Sequence, residues 1–236
     1  MATGAPGTNG VWQYGEDDSE ATFSALLNKV ASTTDTQIGT DRGRLTTLEA
    51  RPVSGLVPIS PSSVVIAGGT GSTTTAGQVT FTTATSISLN SVFSSTYRNY
   101  RLLLNVTGTS AAVTSVSIRF RTGTTDNANS SYFQYWTIKR ISGVLQDNSG
   151  GPATSFALIS KTNANTYGSW TGDIMSPNVS TQSTTATGLG HSSDATSSYN
   201  VSNTVLFDPN TAFDGITLLS TSGNITGTVQ ILGYND

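Results

Sequence analysis

Cysteine is absent from all 236 residues, so neither a disulfide framework nor a thiolate metal site can form. Histidine occurs once, at His191, which removes zinc hydrolysis built on paired histidine ligands. Charged residues are scarce, at 11%, and leave a formal net charge of −3. That balance argues against the basic face that nucleic acid demands. No apolar run approaches the roughly 20 residues needed to cross a membrane as a helix. The opening MATGAPGTNG has no basic segment followed by an apolar one, so no secretory signal is expected.

Serine, threonine, asparagine and 24 glycines fill the deficit. Disordered chains combine low hydrophobicity with high net charge and few aromatic or β-branched residues. Here charge is low, and Val, Ile, Thr, Tyr and Phe recur in short alternating runs. The composition therefore predicts a mainly β protein with many turns.

The stretch Asp35–Pro61 divides the chain. Ile38, Leu45 and Leu48 are spaced seven and three apart, the a and d positions of a heptad. So thin a stripe cannot hold a short helix in water by itself and needs a partner. We expect an oligomerising coiled-coil stem over 35–51, with a helix laid on the neighbouring domain as the alternative. Arg51-Pro52 ends it, and Pro52, Pro58 and Pro61 make 52–61 an extended neck. Before the stem, Asp17 caps a helix from about Ser19 to Ala31, with Phe23, Leu26, Leu27 and Val30 on one face. Ser32-Thr33-Thr34 is expected to break it. Residues 1–34 form an N-terminal docking segment in which Trp12 and Tyr14 are the candidate anchors.

From residue 62 the pattern changes to period two. Tyr100, Leu102, Leu104 and Val106 alternate with Arg101, Leu103 and Asn105, and Val116, Ile118 and Phe120 alternate with Ser117, Arg119 and Arg121. Gly68–Gly77, Gln146–Pro152 and Thr181–Ser198 read as turns or loops. About ten antiparallel strands over 62–236 predict a β-sandwich, jelly-roll-like. The last strand is apolar on both faces, with Val229 and Ile231 one way and Leu232 and Tyr234 the other. It is either central or at a subunit contact.

Catalytic signatures are weak. His191 stands beside Ser192 and Asp194, but no nucleophile elbow accompanies it. Asp147, Asp173, Asp194 and Asp214 are the candidates for paired-carboxylate glycan hydrolysis. Asp126, Asn127 and Asn129 offer oxygens to calcium without the EF-hand glycine and terminal glutamate. GGTGS lacks the lysine of a phosphate loop. Adhesion suits the residues better. Tyr132, Tyr135, Trp136, Tyr167 and Trp170 concentrate in mid-domain, and sugar binding needs an apolar ring with a few polar groups around it. Because Gln134 lies between them, Tyr132 and Trp136 are expected to be exposed. Asn163, Asn165 and Asp173 complete the candidate glycan site, while Trp170, sharing a face with Ile174, reads as core.

Five segments resemble the short tail-fibre or receptor-binding minor tail proteins of tailed phages that infect actinobacteria. They are GVWQYGEDDSEATFSALLNKVAS, RLTTLEARP, SISLNSVFSSTYRNYRLLLNVTGTS, RFRTGTTDN and DGITLLSTSGNITGTVQILGYND. The resemblance implies a virion protein with no catalytic role and no cofactor. Its expected partners are itself, as a homotrimer, other virion proteins through the N-terminus, and host surface glycan through residues 62–236. Neither nucleic-acid binding nor membrane insertion is expected. A capsid fibre or decoration protein is the alternative, and a glycan-cleaving tailspike a weaker one.

Overall fold

The structure, a computed structural model, describes residues 20–49, 55–110, 114–141, 143, 145–162, 167–193 and 197–235. Trp12, Tyr14, Asn163, Asn165, Asp194 and the Arg51-Pro52 step fall outside those residues. The chain divides into two compact units, Met1–Pro52 and Val53–Asp236.

Among its described residues the first unit holds one helix, α1 (Glu20–Glu49), of 30 residues. It runs straight through Ser32-Thr33-Thr34, so the expected break is absent and the two predicted helices are one. The threonines are accommodated by bonding back to the helix. Thr33 Oγ1 donates to the Lys29 carbonyl at 2.8 Å, Thr34 Oγ1 to that of Val30 at 2.9 Å, and Thr36 Oγ1 to that of Ser32 at 2.8 Å. Each hydroxyl satisfies itself inside the helix instead of competing with it.

The second unit carries sixteen strands among its described residues. They are β1 (Gly55–Ile59), β2 (Ser63–Ala67), β3 (Thr70–Thr73), β4 (Val79–Ala84), β5 (Ser86–Asn90), β6 (Asn99–Thr109), β7 (Thr114–Thr122) and β8 (Thr125–Asp126). There follow β9 (Tyr132–Arg140), β10 (Leu145–Ala153), β11 (Phe156–Thr162), β12 (Gly168–Met175), β13 (Thr184–Ser193), β14 (Ser198–Phe207), β15 (Gly215–Ser220) and β16 (Ile225–Asn235). A ten-stranded sheet orders them β10-β9-β14-β13-β12-β6-β16-β4-β3, with β1 also on β16. A six-stranded sheet orders β11-β7-β15-β5-β2, with β8 on β7. The pairings are antiparallel, and one apolar core joins residues of both sheets, as the expected sandwich requires.

Four segments expected to be irregular carry strands. Within Gly68–Gly77, Thr70–Thr73 pairs with β4. Gly55–Ile59, inside the expected neck, pairs with β16 as an edge strand, where Pro58 is tolerated because its missing N–H need not join a ladder. Gln146–Pro152 lies in β10. Most of Thr181–Ser198 is β13, whose TTATGLGHSS has a period of two hidden by small residues. The small residues have a purpose. Trp170 on β12 is fully buried, and its indole lies over the backbone of both strands. A Cβ on Gly172 would come within 2.3 Å of Trp170 Cη2, and one on Gly188 within 2.3 Å of Cζ2. A sequence scan sees missing hydrophobes where the fold needs a slot. β16 is central, between β6 and the β4–β1 edge. Val229 and Ile231 are in the core, and Leu232 and Tyr234 are half-buried on the other face.

Gly188→Ala should therefore lower stability by about 1–3 kcal/mol through overpacking. Gly108→Ala, where nothing lies within 4 Å of an added Cβ, should change it by less than about 0.5 kcal/mol. Urea melts of the two variants check the slot.

Candidate functional site

Of the expected glycan residues, the described ones, Tyr132, Gln134, Trp136 and Asp173, do not come together. On β9 the side chains alternate as predicted, but the faces are reversed. Tyr132 is fully buried, and Gln134 and Trp136 are half-buried on the same inner face, whereas Phe133 is 41% and Tyr135 53% exposed on the outer one. The Tyr132 hydroxyl accepts from the Phe120 N–H at 2.9 Å and donates to the Asn127 carbonyl at 3.0 Å, and burial pushes the phenol well above its ordinary pKa. Trp136 packs against a small apolar cluster of Ile138, Tyr199 and Val201.

Gln134 is committed to the fold. Its Nε2 donates to the Ala157 carbonyl at 2.7 Å, and its Oε1 accepts from the Ala157 N–H at 3.1 Å. Asn203 reaches the same carbonyl at 2.9 Å and accepts from Trp170 Nε1 at 2.9 Å. The strand register of β11 shifts between Ala157 and Ile159, which frees the Ala157 backbone groups for this use.

Asp173 lies on the outer face of the large sheet, the opposite side from Tyr132 and Trp136. It accepts from Arg101 Nε at 2.8 Å and Nη2 at 3.0 Å, and from the Tyr234 hydroxyl at 2.6 Å. The Arg101 bonds hold its carboxyl below the usual carboxylate range, against a smaller opposing effect of burial. The Tyr234 phenol is raised, by burial first and by Asp173 next. The Arg101 guanidinium also sits 5.5 Å from the Tyr234 ring centroid. This cluster ties β12, β6 and β16 together across three strands.

Other chemistry-bearing residues are equally engaged. Ser192 is buried while His191 points to the outer face, so the two cannot act on one substrate atom. The Asp126 carboxylate takes the Arg121 guanidinium at 3.1 Å and the Thr217 hydroxyl at 2.6 Å, and Asn127 Oδ1 caps the Asn129 N–H at 3.0 Å. These are the bonds of a turn and not of a calcium loop. Among the described residues no group of three His, Cys, Asp or Glu side chains could hold a metal, and no helix is long and apolar enough to cross a membrane.

What the outer face does present is a shallow groove of about 420 Å³ at the β10-β9-β14 edge. Phe133, Tyr135 and Leu206 supply its apolar surface, and Thr204 and Ser149 its hydroxyls. Register builds it. Phe133 faces Leu206 across β9–β14, and Tyr135 faces Thr204 on one side and Ser149 on the other. Gly151, at φ 144°, brings the β10 backbone close, where a Cβ would meet Phe133 Cδ1 at 2.9 Å. Exposed rings beside hydroxyls, with no charge in the lining, are chemically suited to stacking on and hydrogen-bonding a neutral polar ligand. The alternation of all of β9 marks this face in the sequence. Thr137 and Lys139 continue the Phe133–Tyr135 side, and Ile138 the Tyr132–Trp136 side. Reading Gln134 alone reversed it.

No family model matches the chain, and no curated protein does. Among solved structures, the marine PL-14 alginate lyase from Aplysia kurodai is similar at 11% identity, covering 72% of this chain and 80% of that one, with a TM-score of 0.31. A score of that size fixes neither fold nor activity.

Two outcomes are expected from substitution here. Gln134→Ala strands the Ala157 N–H and should cost about 1–3 kcal/mol, whereas Tyr135→Ala should stay within about 0.5 kcal/mol, both by chemical denaturation. The folded carboxyl of Asp173 is lower than in the unfolded chain. Its contribution is therefore full above the unfolded pKa, near 4, and is lost as pH falls through the folded value. The stability gap between the native chain and Asp173→Asn should accordingly be present at neutral pH and close on acidification, as read by melting temperature against pH.

Proposed function

We propose that this chain is a virion fibre protein of the tail-fibre or minor tail type. It trimerises through its helix and attaches to carbohydrate on the host surface through its β-domain. The observation that carries the reading is the bare apolar stripe on α1. Ile38 is 45% and Leu45 56% exposed, on a helix about 45 Å long. The heptad register set by Ile38, Leu45 and Leu48 extends back through Ala31 to Leu27, itself 53% exposed. Thr34 and Asp41 occupy intervening core positions, where polar residues set register at some cost in stability. A helix with that surface needs copies of itself to cover it, and a three-stranded coiled coil does so.

The β-domain, jelly-roll-like in this reading, supplies the ligand surface. Its site is the Phe133–Tyr135 groove, in place of the residues expected from sequence. Threefold repetition raises weak single-site affinity by avidity, by roughly 10² to 10⁴. Trp12 and Tyr14 dock the N-terminus on other virion proteins. We read the chain as a binding protein and not an enzyme, placed on the particle surface after cytoplasmic assembly. A capsid fibre keeps the same trimer with a different attachment.

Light scattering on the whole chain should give a mass three times 24.5 kDa. Ile38→Asp with Leu45→Asp should reduce it to one chain while the β-domain keeps its fold. A monomeric native protein removes the stem. Tyr135→Ala should then abolish adhesion of the trimer to host cells without changing its mass, and adhesion equal to that of the native chain removes the groove.

A further inference from the structure

The outer face of the large sheet carries a second exposed aromatic pair, at the other end of the strands that form the groove. Tyr167 is 58% exposed, and its ring lies over that of His191, with centroids 5.8 Å apart and planes 27° from parallel. His191 faces Ser169 on β12 and Asn200 on β14, with Nδ1 3.4 Å from Asn200 Oδ1. Along β14 the outer-face positions are Leu206, Thr204, Ser202 and Asn200. Groove and pair are thus separated by four to six residues of strand, about 13 to 20 Å.

The strip between them is uniform. Thr187 faces Thr204, Leu189 faces Ser202, and Thr137 faces Ser202 from β9. Thr187 and Thr204 bring their hydroxyl oxygens to 3.4 Å, and Leu189 is 69% exposed. Between the two aromatic ends, β13 and β14 offer hydroxyls and one apolar side chain to the outer face, and no charge.

We infer that this face binds a linear, uncharged polysaccharide laid along β13 and β14, with separate sugars stacked on Phe133–Tyr135 and on Tyr167–His191. The inference rests on the carbohydrate reading above and extends it to the form of the ligand. Two stacking platforms this far apart exceed the reach of one sugar. A chain crosses the gap, and its hydroxyls exchange hydrogen bonds with the threonine and serine row. An acidic polysaccharide would find little net positive charge beside the strip: Lys139 on β9 faces Asn200 at one end, Asp147 on β10 faces Thr137, and Arg101 is paired with Asp173, so its carboxylates would be desolvated with little to offset the cost. A protein partner would want contiguous apolar anchors at the centre of its contact, and here the centre is hydroxyl-bearing.

The test uses the full-length chain on a printed array of linear oligosaccharides, neutral and uronate-containing, from mono- to octasaccharide. Binding should appear among the neutral chains and rise steeply once they are long enough to reach both ends. Tyr167→Ala should weaken the longest chains by about tenfold and leave short ones unchanged. Tyr135→Ala should weaken both. Leu189→Asp, at mid-strip, should weaken long chains alone. Tyr167 and Leu189 are exposed, and a melt of each variant confirms its fold. If long and short chains bind alike, if uronate chains bind best, or if Tyr167→Ala leaves long-chain affinity unchanged, the extended track is wrong while the groove reading survives. If no member of the array is retained, the carbohydrate reading and this inference fall together.

Discussion

The β-domain depends on how Trp170 is held. Its indole fills a slot that exists because Gly172 and Gly188 have no side chains, and its N–H is satisfied by Asn203. Asn203 in turn bonds the Ala157 carbonyl, where Gln134 also bonds, so one backbone group on the smaller sheet is tied to β9 and β14 of the larger and, through Asn203, to Trp170 on β12. A buried amide is costly unless paired. Here each of these groups pairs with another, and the network sets the sheets in one register as well as holding them together. The outer face follows from it. With Trp170, Gln134 and Asn203 fixed inward, the alternation of β9, β12 and β14 commits Phe133, Tyr135, Asp173 and Leu206 to the opposite side.

Much of the sandwich was readable because its strands keep a period of two with large side chains. Tyr100 to Val106 and Val116 to Phe120 are core by parity, and so they are in the structure. The failures share a cause. In β13 the inward positions are Thr184, Ala186, Gly188, Gly190 and Ser192, all small or hydroxyl-bearing, so no large apolar side chain marks the inner face and the strand looks like a loop. The side chain that makes sense of those glycines belongs to another strand. In β10 the inward neighbour of Trp136 is Gly150, 3.2 Å from the ring if given a Cβ. Tertiary context, absent from any local window, decides both.

The site was half legible for a related reason. Tyr132-Phe133-Gln134-Tyr135-Trp136 has aromatics on both faces, and a single glutamine between them reads as the mark of solvent. Gln134 is polar because it replaces a strand partner for Ala157 and not because it meets water. The longer pattern would have assigned the faces. Ile138 and Thr137 follow on opposite sides, and on the partner strand Val201, Val205 and Phe207 mark the core parity that puts Leu206 outside. Polarity at one position reports a hydrogen bond, and polarity along a whole parity class reports water. The helix shows the same distinction. Three consecutive hydroxyl residues at Ser32–Thr34 suggested a break by propensity, yet the threonine hydroxyls bond the preceding turn and the helix continues.

The scarcity of charge bears directly on what the outer face can do. A sheet exposed on one side usually carries lysines and glutamates there. This one carries threonine and serine over β13 and β14, and its best-placed ion pair, Arg101 with Asp173, is spent on itself and Tyr234. Hydroxyl rows on a rigid sheet lose little conformational freedom on contact, because threonine is stiff at χ1. Long charged side chains would lose much more. Such a surface gains little from any single contact and spends little to make many. Weak, repeated contacts are the regime in which multiplying sites raises binding most, so under the proposed trimeric reading the hydroxyl strip of β13 and β14 and the bare apolar positions of α1 would serve the same end.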